Sequence, residues 1–405
     1  MQKKIVFISD HGDPLAPLGG EQAGGQNNYV KQLALSLDKR GHMVDVITHW
    51  ADANTSRIEK FGSRCRVIRV SAGVKGYVPK SELYDMLFDF YDEMRNLINL
   101  STYDVLHTHY WLSGLLGAKV AEDYGTPWIH TSHSLGVAKE QATGISESKR
   151  IAAEKLILQV ANTVVATTAS ERKLINSFVE NPSPIKVIPI GVDHRFKPFN
   201  PKEKVQPYFA FAGRLEATKG IYTLLNAFRL LLERHELPPS AKLVIAGGDP
   251  DKIDMERKLP TCPKLKKAIA GLEQHIDFLG ARSQRQLAEL FNEALAVVVP
   301  STYESFGMVA AEAQACGSPV IASKVGGLQD VVRNSETGVH VEKENKEHLA
   351  FAMKLIAANR EFARSLGRRA AAHAQREFNW DTVAKKMDGL YEVVLFEKQK
   401  VLASD

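Results

Sequence analysis

Two glutamates eight positions apart, Glu304 and Glu312, sit in the stretch STYESFGMVAAEAQACGSPVIASKVGG, residues 301–327. Gly307 stands between them at the expected start of the helical run MVAAEAQA. A glycine there lets a ligand approach the first free N–H groups, which together with the helix dipole favour an anion such as a phosphate. A carboxylate in the loop and a second one about two turns into the helix could hold sugar hydroxyls on either side of that phosphate. The pattern predicts a nucleotide-sugar site. The plain alternative is two solvated glutamates flanking an ordinary strand–helix unit. Against it, Glu312 lies among Ala310, Ala311, Ala313 and Ala315, and a carboxylate in small apolar surroundings needs a partner.

Three other loops carry residues of the same chemical kind. GRLEATKG (213–220) contains Arg214 and Lys219 ahead of a helix, a fork and a point charge that suit a diphosphate. HGDPLAPLGGEQAGGQNNY (11–29) places Gly19, Gly20, Gly24 and Gly25 just before a helix, which would let backbone N–H groups touch a phosphate. It is not the G-x-G-x-x-G dinucleotide pattern. His107, His109, His130 and His133 cluster at strand ends. No cysteine or carboxylate completes a zinc set, so they read as polar groups bordering a site. His133, followed by Ser134 and Gly136, is the best placed for a catalytic contact.

Short β-rich runs alternate with helical ones from end to end, which predicts βαβ units and parallel sheets. The first series is expected at 5–9, 44–49, 66–70, 104–109, 128–132, 163–168 and 186–190. The second is expected at 208–213, 242–248, 276–280, 295–300, 319–323 and 338–342. Between them PFNPKEKVQP (198–207) reads as a linker. The economical organisation is two Rossmann-like doubly wound domains, 1–197 and 208–378. A helix over 379–405 would cross back to the first domain. Ligands lie outside the carboxyl ends of such strands, so two facing sheets would put the site in a cleft between them.

Chain length, 405 residues, accommodates two such domains. The excess of 52 Lys and Arg over 47 Asp and Glu gives a net charge of +5, compatible with anionic small molecules. No basic arm suggests nucleic acid. No window approaches a membrane span. The arginines at 360, 364, 368 and 369 read as a solvated helix face and not a membrane surface. Three widely spaced cysteines make neither a disulfide framework nor a metal knuckle and point to a reducing cytosol.

Together these motifs resemble the retaining nucleotide-sugar glycosyltransferases of family 4, with the two-domain GT-B architecture. ESFGMVAAE followed by GGLQDVV (326–332) is the most specific part. AGGQNNYV, HTHYWLSG and the 304–327 block resemble the branch that glycosylates inositol phosphate. HSLG (133–136) and VPKSEL (78–83) equally resemble sucrose-phosphate and mannosylfructose-phosphate synthases. The resemblance implies that Glu312 binds the nucleotide ribose. Glu304, with the backbone of Ser305, Phe306, Gly307, Met308 and Val309, would hold the donor sugar and phosphate. Arg214 and Lys219 would neutralise the diphosphate, Gly25 would donate from the facing domain, and His133 would contact the donor sugar. Lys80, Tyr110, Ser134 and Arg150 would hold an acceptor phosphate. Ser134 replaces a threonine, which keeps the hydroxyl. Asn27 matches the pattern for the acceptor, while Gln26 and Asn28 are more polar than their counterparts.

The implied reaction is hexosyl transfer from a UDP-sugar to a small hydroxylated, phosphorylated acceptor, with retention and with neither metal nor cofactor. A glycan, an aminocyclitol or a lipid headgroup is the alternative acceptor. An epimerase or a non-catalytic sugar-nucleotide-binding protein is the more distant reading. The sequence does not name the donor sugar or the oligomeric state, a homodimer included.

Overall fold

The computed structural model describes residues 2–16, 24–199 and 208–404. The chain divides into two compact units, residues 1–191 with 380–405, and residues 192–379. This division falls ahead of the 198–207 segment. Val192–Phe199 belongs with the second unit, where Phe196 stacks on Phe291 at 6.1 Å and the Phe199 N–H donates to Asn292 Oδ1 at 3.0 Å. Residues 200–207 of the expected linker lie outside the described residues.

The first unit is built on eight strands: β1 (Lys4–Ile8), β2 (Met43–His49), β3 (Ile58–Phe61), β4 (Cys65–Val70), β5 (Val105–His109), β6 (Trp128–Thr131), β7 (Thr163–Ala166) and β8 (Ile185–Val187). Their order is β3-β4-β2-β1-β5-β6-β7-β8. All pairs are parallel except β3 with β4. The seven expected strands are all present, each within a residue or two of its expected start. The antiparallel edge strand β3 is additional. Its sequence, IEKF, is mostly exposed and lacks the apolar run that marks the buried strands.

Runs such as IVFI are apolar on both faces because both faces of this sheet are covered. On one side Phe90, Met94, Leu112 and Leu116 pack over Ile8, Ile68 and Leu106. On the other, the helix Gly25–Lys39 and the C-terminal helix Trp380–Ser404 pack over Ile5, Phe7 and Val46. The C-terminal helix is tied down by polar contacts as well. Asp388 accepts from Lys3 Nζ at 2.6 Å and Arg40 Nη2 at 2.9 Å. Burial works against ionisation there, but these hydrogen bonds prevail and hold the Asp388 carboxyl at about 2.

The second unit carries β9 (Tyr208–Ala212), β10 (Lys242–Ala246), the small hairpin β11 (Ile253–Asp254) with β12 (Leu259–Pro260), then β13 (Ile276–Gly280), β14 (Ala296–Val299), β15 (Val320–Ser323) and β16 (Gly338–Val341). The main sheet, β13-β10-β9-β14-β15-β16, is wholly parallel. Leu224, Leu225 and Phe228 of the helix Ile221–Glu233 pack with Leu349, Met353 and Ile356 of the helix Lys346–Ala358 in its core. Both main sheets reverse winding direction beside their first strand, between β1 and β5 and between β9 and β14. Loops at the carboxyl ends of those strands are where a doubly wound sheet binds ligands.

Candidate active site

In the second unit the two loops at the switch point are the basic loop after β9 and the Glu304 loop after β14. Their backbones touch. Thr302 N–H donates to the Thr218 carbonyl at 2.9 Å. At Gly220, with φ +73°, any Cβ would come within 1.9 Å of the Pro300 carbonyl oxygen, so only glycine permits the approach. This contact brings Lys219 Nζ to 2.6 Å from Glu304 Oε1. The Ser301 hydroxyl donates to the same oxygen at 3.2 Å. Lys219 and Glu304, expected to bind different parts of a ligand, therefore hold each other. Both side chains keep a face to solvent, 24% and 17% exposed. Arg214 is different: its side chain is 75% exposed and, among the described residues, pairs with Glu216 alone, at 2.8 Å.

The helix Met308–Ala315 forms over the expected run. Gly307 is its N-cap with φ +101°, and a Cβ there would strike Leu328 at 2.4 Å. The glycine is thus demanded by backbone conformation and packing. Ser305 opens this turn, Phe306 is buried edge-on to Phe378 at 5.6 Å, and Met308 and Val309 are partly buried. The Glu304 carbonyl accepts from Gly327 N–H at 2.9 Å, so the GG pair fixes the loop from behind. Glu312 departs from expectation. Among the described residues its carboxylate has no hydrogen-bond or ion-pair partner. Burial, with the negative charge of Asp193, instead pushes its carboxyl up to about 8.

In the first unit the expected residues fall into two groups. At the carboxyl ends of β5 and β6, the histidines are internal. His107 is fully buried, with Nδ1 at 2.8 Å from the Tyr391 hydroxyl and Nε2 at 2.8 Å from Thr131 Oγ1. His130 contacts Thr108 Oγ1 at 2.8 Å. These two are core hydrogen-bonding residues and do not border the site as expected. His109 and His133 meet, Nδ1 to Nε2, at 3.1 Å. Burial pushes His107 and His109 well below the usual histidine range, and His130 and His133 to about 3. His133 has φ +61°, an uncommon conformation for a side chain of this size.

The second group is a pocket of about 460 Å³ whose lining includes Lys80, Tyr84, Tyr110, Ser148, Lys149 and Arg150. Arg150 organises it. Its Nε donates to Glu154 at 2.7 Å, Nη1 to Glu147 at 3.0 Å, and Nη2 to the Ser134 carbonyl and hydroxyl at 2.9 and 3.0 Å. Its guanidinium also lies 4.9 Å from the centre of the Tyr110 ring, and Lys80 Nζ lies 5.6 Å from the same ring. Glu154 accepts from Gly136 N–H at 2.7 Å, which locks the HSLG turn to the arginine. Lys80, Tyr110, Ser134 and Arg150, far apart in sequence, are thus one assembly.

Gly25 is the first residue of the helix Gly25–Lys39, and nothing lies within 4 Å of where its Cβ would be. Asn27 is engaged locally, accepting from Gly24 N–H at 3.1 Å and donating to the Asp13 carbonyl at 3.0 Å. Gly19 and Gly20 lie outside the described residues. Gln26, read from the sequence only as more polar than its counterpart, donates to Ser9 Oγ at 3.0 Å and the His109 carbonyl at 3.3 Å. Sequence reasoning missed Glu154 and Lys149; the i, i+4 spacing of Arg150 and Glu154 was the available signal. Among the described residues no group of three or more His, Cys, Asp or Glu side chains is arranged to hold a metal ion, and all three cysteines are free. No described helix is long and apolar enough to cross a membrane.

Two α/β units on parallel sheets, with charged loops at the switch point of the second, define a glycosyltransferase of the GT-B class. The chain belongs to glycosyltransferase family 4. Residues 23–196 match the family model described as Glycosyltransferase Family 4, and residues 193–373 the one described as Glycosyl transferases group 1. The chain is 32% identical to the D-inositol 3-phosphate glycosyltransferase of Corynebacterium jeikeium, with 96% of each chain covered. It is 33% identical to that of Actinosynnema mirum, covering 96% of this chain and 97% of the relative. Among solved structures it is similar to the sucrose-phosphate synthase of Thermosynechococcus elongatus, at 34% identity and a TM-score of 0.86 over the whole of both chains.

Proposed function

We propose that this glycosyltransferase transfers a hexosyl group, with retention, from a UDP-sugar to a hydroxyl of a small phosphorylated polyol or sugar. The observation that carries the acceptor reading is the convergence of Lys80, Tyr110 and Arg150 on one pocket, with Ser134 held to Arg150. Three donors on cationic or phenolic groups around one space suit a phosphate dianion. The named relatives act on inositol 3-phosphate or make sucrose phosphate, which is the same acceptor chemistry.

In this reading Glu312 accepts from the ribose hydroxyls, and Glu304 with the Ser305–Val309 backbone holds the donor sugar and its phosphate. Lys219 and Arg214 neutralise the diphosphate, which requires both to exchange glutamate partners for phosphate oxygens. Gly25 offers a backbone N–H to a phosphate oxygen. His133 contacts the donor sugar. The anomeric C–O bond to the diphosphate breaks as the acceptor oxygen attacks from the same face. The acceptor proton passes to a phosphate oxygen of the leaving group. Lys219 and the N-terminus of the helix Met308–Ala315 stabilise the charge that develops there. The two side-chain cations and the helix dipole do what a divalent ion would otherwise do, so transfer proceeds in chelator.

The test is a matrix of UDP-, GDP- and ADP-sugars against inositol phosphate and fructose 6-phosphate, each beside its unphosphorylated counterpart, with EDTA present and absent. The expected result is a phosphorylated acceptor used at least 100-fold better in kcat/KM, giving a product of unchanged anomeric configuration. Equal use of the unphosphorylated compound would overturn the acceptor reading, and an inverted product the stereochemical one.

A further inference from the structure

The contact between His109 and His133 has a chemical consequence for what the site can bind. β5 and β6 pair so that His109 lies opposite Thr131. The chain then turns through the left-handed His133 and brings its ring back over the end of β5. The two rings meet Nδ1 to Nε2 at 3.1 Å. Between two neutral imidazoles such a contact needs one N–H and one lone pair, so one tautomer dictates the other. Both rings are held neutral by burial.

Two arrangements satisfy the contact. In one, His109 carries its proton on Nδ1 and donates to His133 Nε2. In the other, His133 donates from Nε2, and the proton of His109 sits on its own Nε2. That second nitrogen is buried without a hydrogen-bond partner among the described residues. Its ring lies edge-on to Phe7 and Tyr29, with centroids at 5.0 and 5.7 Å. A buried N–H with no acceptor is rarer and costlier than a bare buried lone pair. The first arrangement is therefore selected.

We infer that His109 is a positioning residue that locks His133 in the Nδ1–H tautomer, so that His133 meets its ligand as a hydrogen-bond donor to a hydroxyl oxygen. The functional part of this inference rests on the reading that His133 contacts the donor sugar; the tautomer itself does not. A sugar hydroxyl bound there acts as acceptor, which leaves its own proton free for a second partner. A donor lacking that hydroxyl leaves the His133 N–H unsatisfied and is discriminated against.

The tautomer can be read in the free protein. In histidine-labelled protein, two-bond proton–nitrogen correlations assign the protonated nitrogen of each ring, and the His133→Gln variant identifies the His133 signals. The expected result is His133 protonated on Nδ1; protonation on Nε2 overturns the inference. His109→Asn keeps an N–H near the Nδ1 position and should retain both the His133 tautomer and kcat within a few-fold. His109→Phe keeps a ring and removes the donor. It should release the lock, so that the single Nδ1–H tautomer of His133 gives way to a mixture of the two tautomers, and lower kcat at least tenfold with the acceptor KM unchanged. A His109→Phe enzyme that keeps full kcat overturns the functional part. If His109→Phe does not fold, the wild-type spectrum and His109→Asn still decide. If no donor supports transfer at all, the functional reading fails while the tautomer result stands.

Discussion

The two switch points share a topology and differ in electrostatic character. Beside β9 and β14 the loop side chains Lys219 and Glu304 are charged, partly wet and paired with each other. Beside β1 and β5, His107, His109 and His130 are buried and neutral, and the ion pairs are buried ones, Arg69 with Asp13 at 2.7 Å and Arg150 with Glu154 at 2.7 Å, where Arg150 is 7% and Glu154 1% exposed. A partly solvated ion pair opens cheaply, whereas a buried one does not. The second unit can thus trade one set of partners for a ligand's, while the first holds its geometry before any ligand arrives.

The largest expected effect that would sharpen this contrast comes from Lys219→Ala. Loss of a preorganised electrostatic group should cost about 100- to 1,000-fold in kcat. The melting temperature should scarcely move, because the broken pair is partly exposed. A large drop in stability with normal turnover would reverse the assignment of the two regions. Arg150→Ala should behave in the opposite sense. Stranding the buried Glu154 carboxylate should destabilise by roughly 3 kcal/mol, read as a lower denaturant midpoint, while also raising the acceptor KM. If Arg150→Ala leaves the midpoint unchanged, the first unit is not preorganised by this pair.

Next in size is the pH response, where His130 and His133 of the first unit and Glu312 of the second should act in opposite senses. His130 and His133 titrate near 3 when folded against about 6.5 when unfolded. The unfolded first unit therefore binds more protons between those values, and stability is lost as pH falls below about 6.5. Glu312 titrates near 8 when folded, against an ordinary value of 4.5. Its folded form binds the extra proton, so its contribution declines as pH rises from about 4.5 to 8. All four tryptophans, Trp50, Trp111, Trp128 and Trp380, lie in the first unit. Tryptophan fluorescence should therefore report an acid-sensitive transition. Glu312→Gln should leave that transition alone and flatten the alkaline decline seen by hydrogen exchange in 192–379. The smallest effect is expected for Arg214→Ala, within about 0.5 kcal/mol in stability, since its side chain is 75% exposed. Any cost should fall on donor binding, measured by calorimetry.

Much of this plan could be read from the chain. Thirteen expected strands formed because a strand buried on both faces must be apolar along its length. IEKF escaped notice because an exposed edge strand carries no such mark. Glu304, Lys219 and Arg214 were legible because loops at strand ends announce themselves through glycine and charge. Their mutual pairing was not, since it depends on the approach at Gly220. The pocket group was legible only as scattered polar residues, because Lys80, Tyr110 and Arg150 come from three separate loops and helices. The fate of the histidines turned on strand register. His107 and His109 alternate with Thr108 in a strand buried on both sides, so no periodicity separates the one that meets His133 from the one that serves the core.

The C-terminal helix completes the first unit only after the entire second unit has been synthesised. Until Trp380–Val394 leaves the ribosome, Ile5, Phe7 and Val46 lack part of the layer that covers them. Residues 192–379 are contiguous and can fold on their own schedule, whereas the first unit must wait with a sticky face showing. Nonsense or frameshift lesions late in the gene would spare residues 192–379 and still yield an aggregation-prone product.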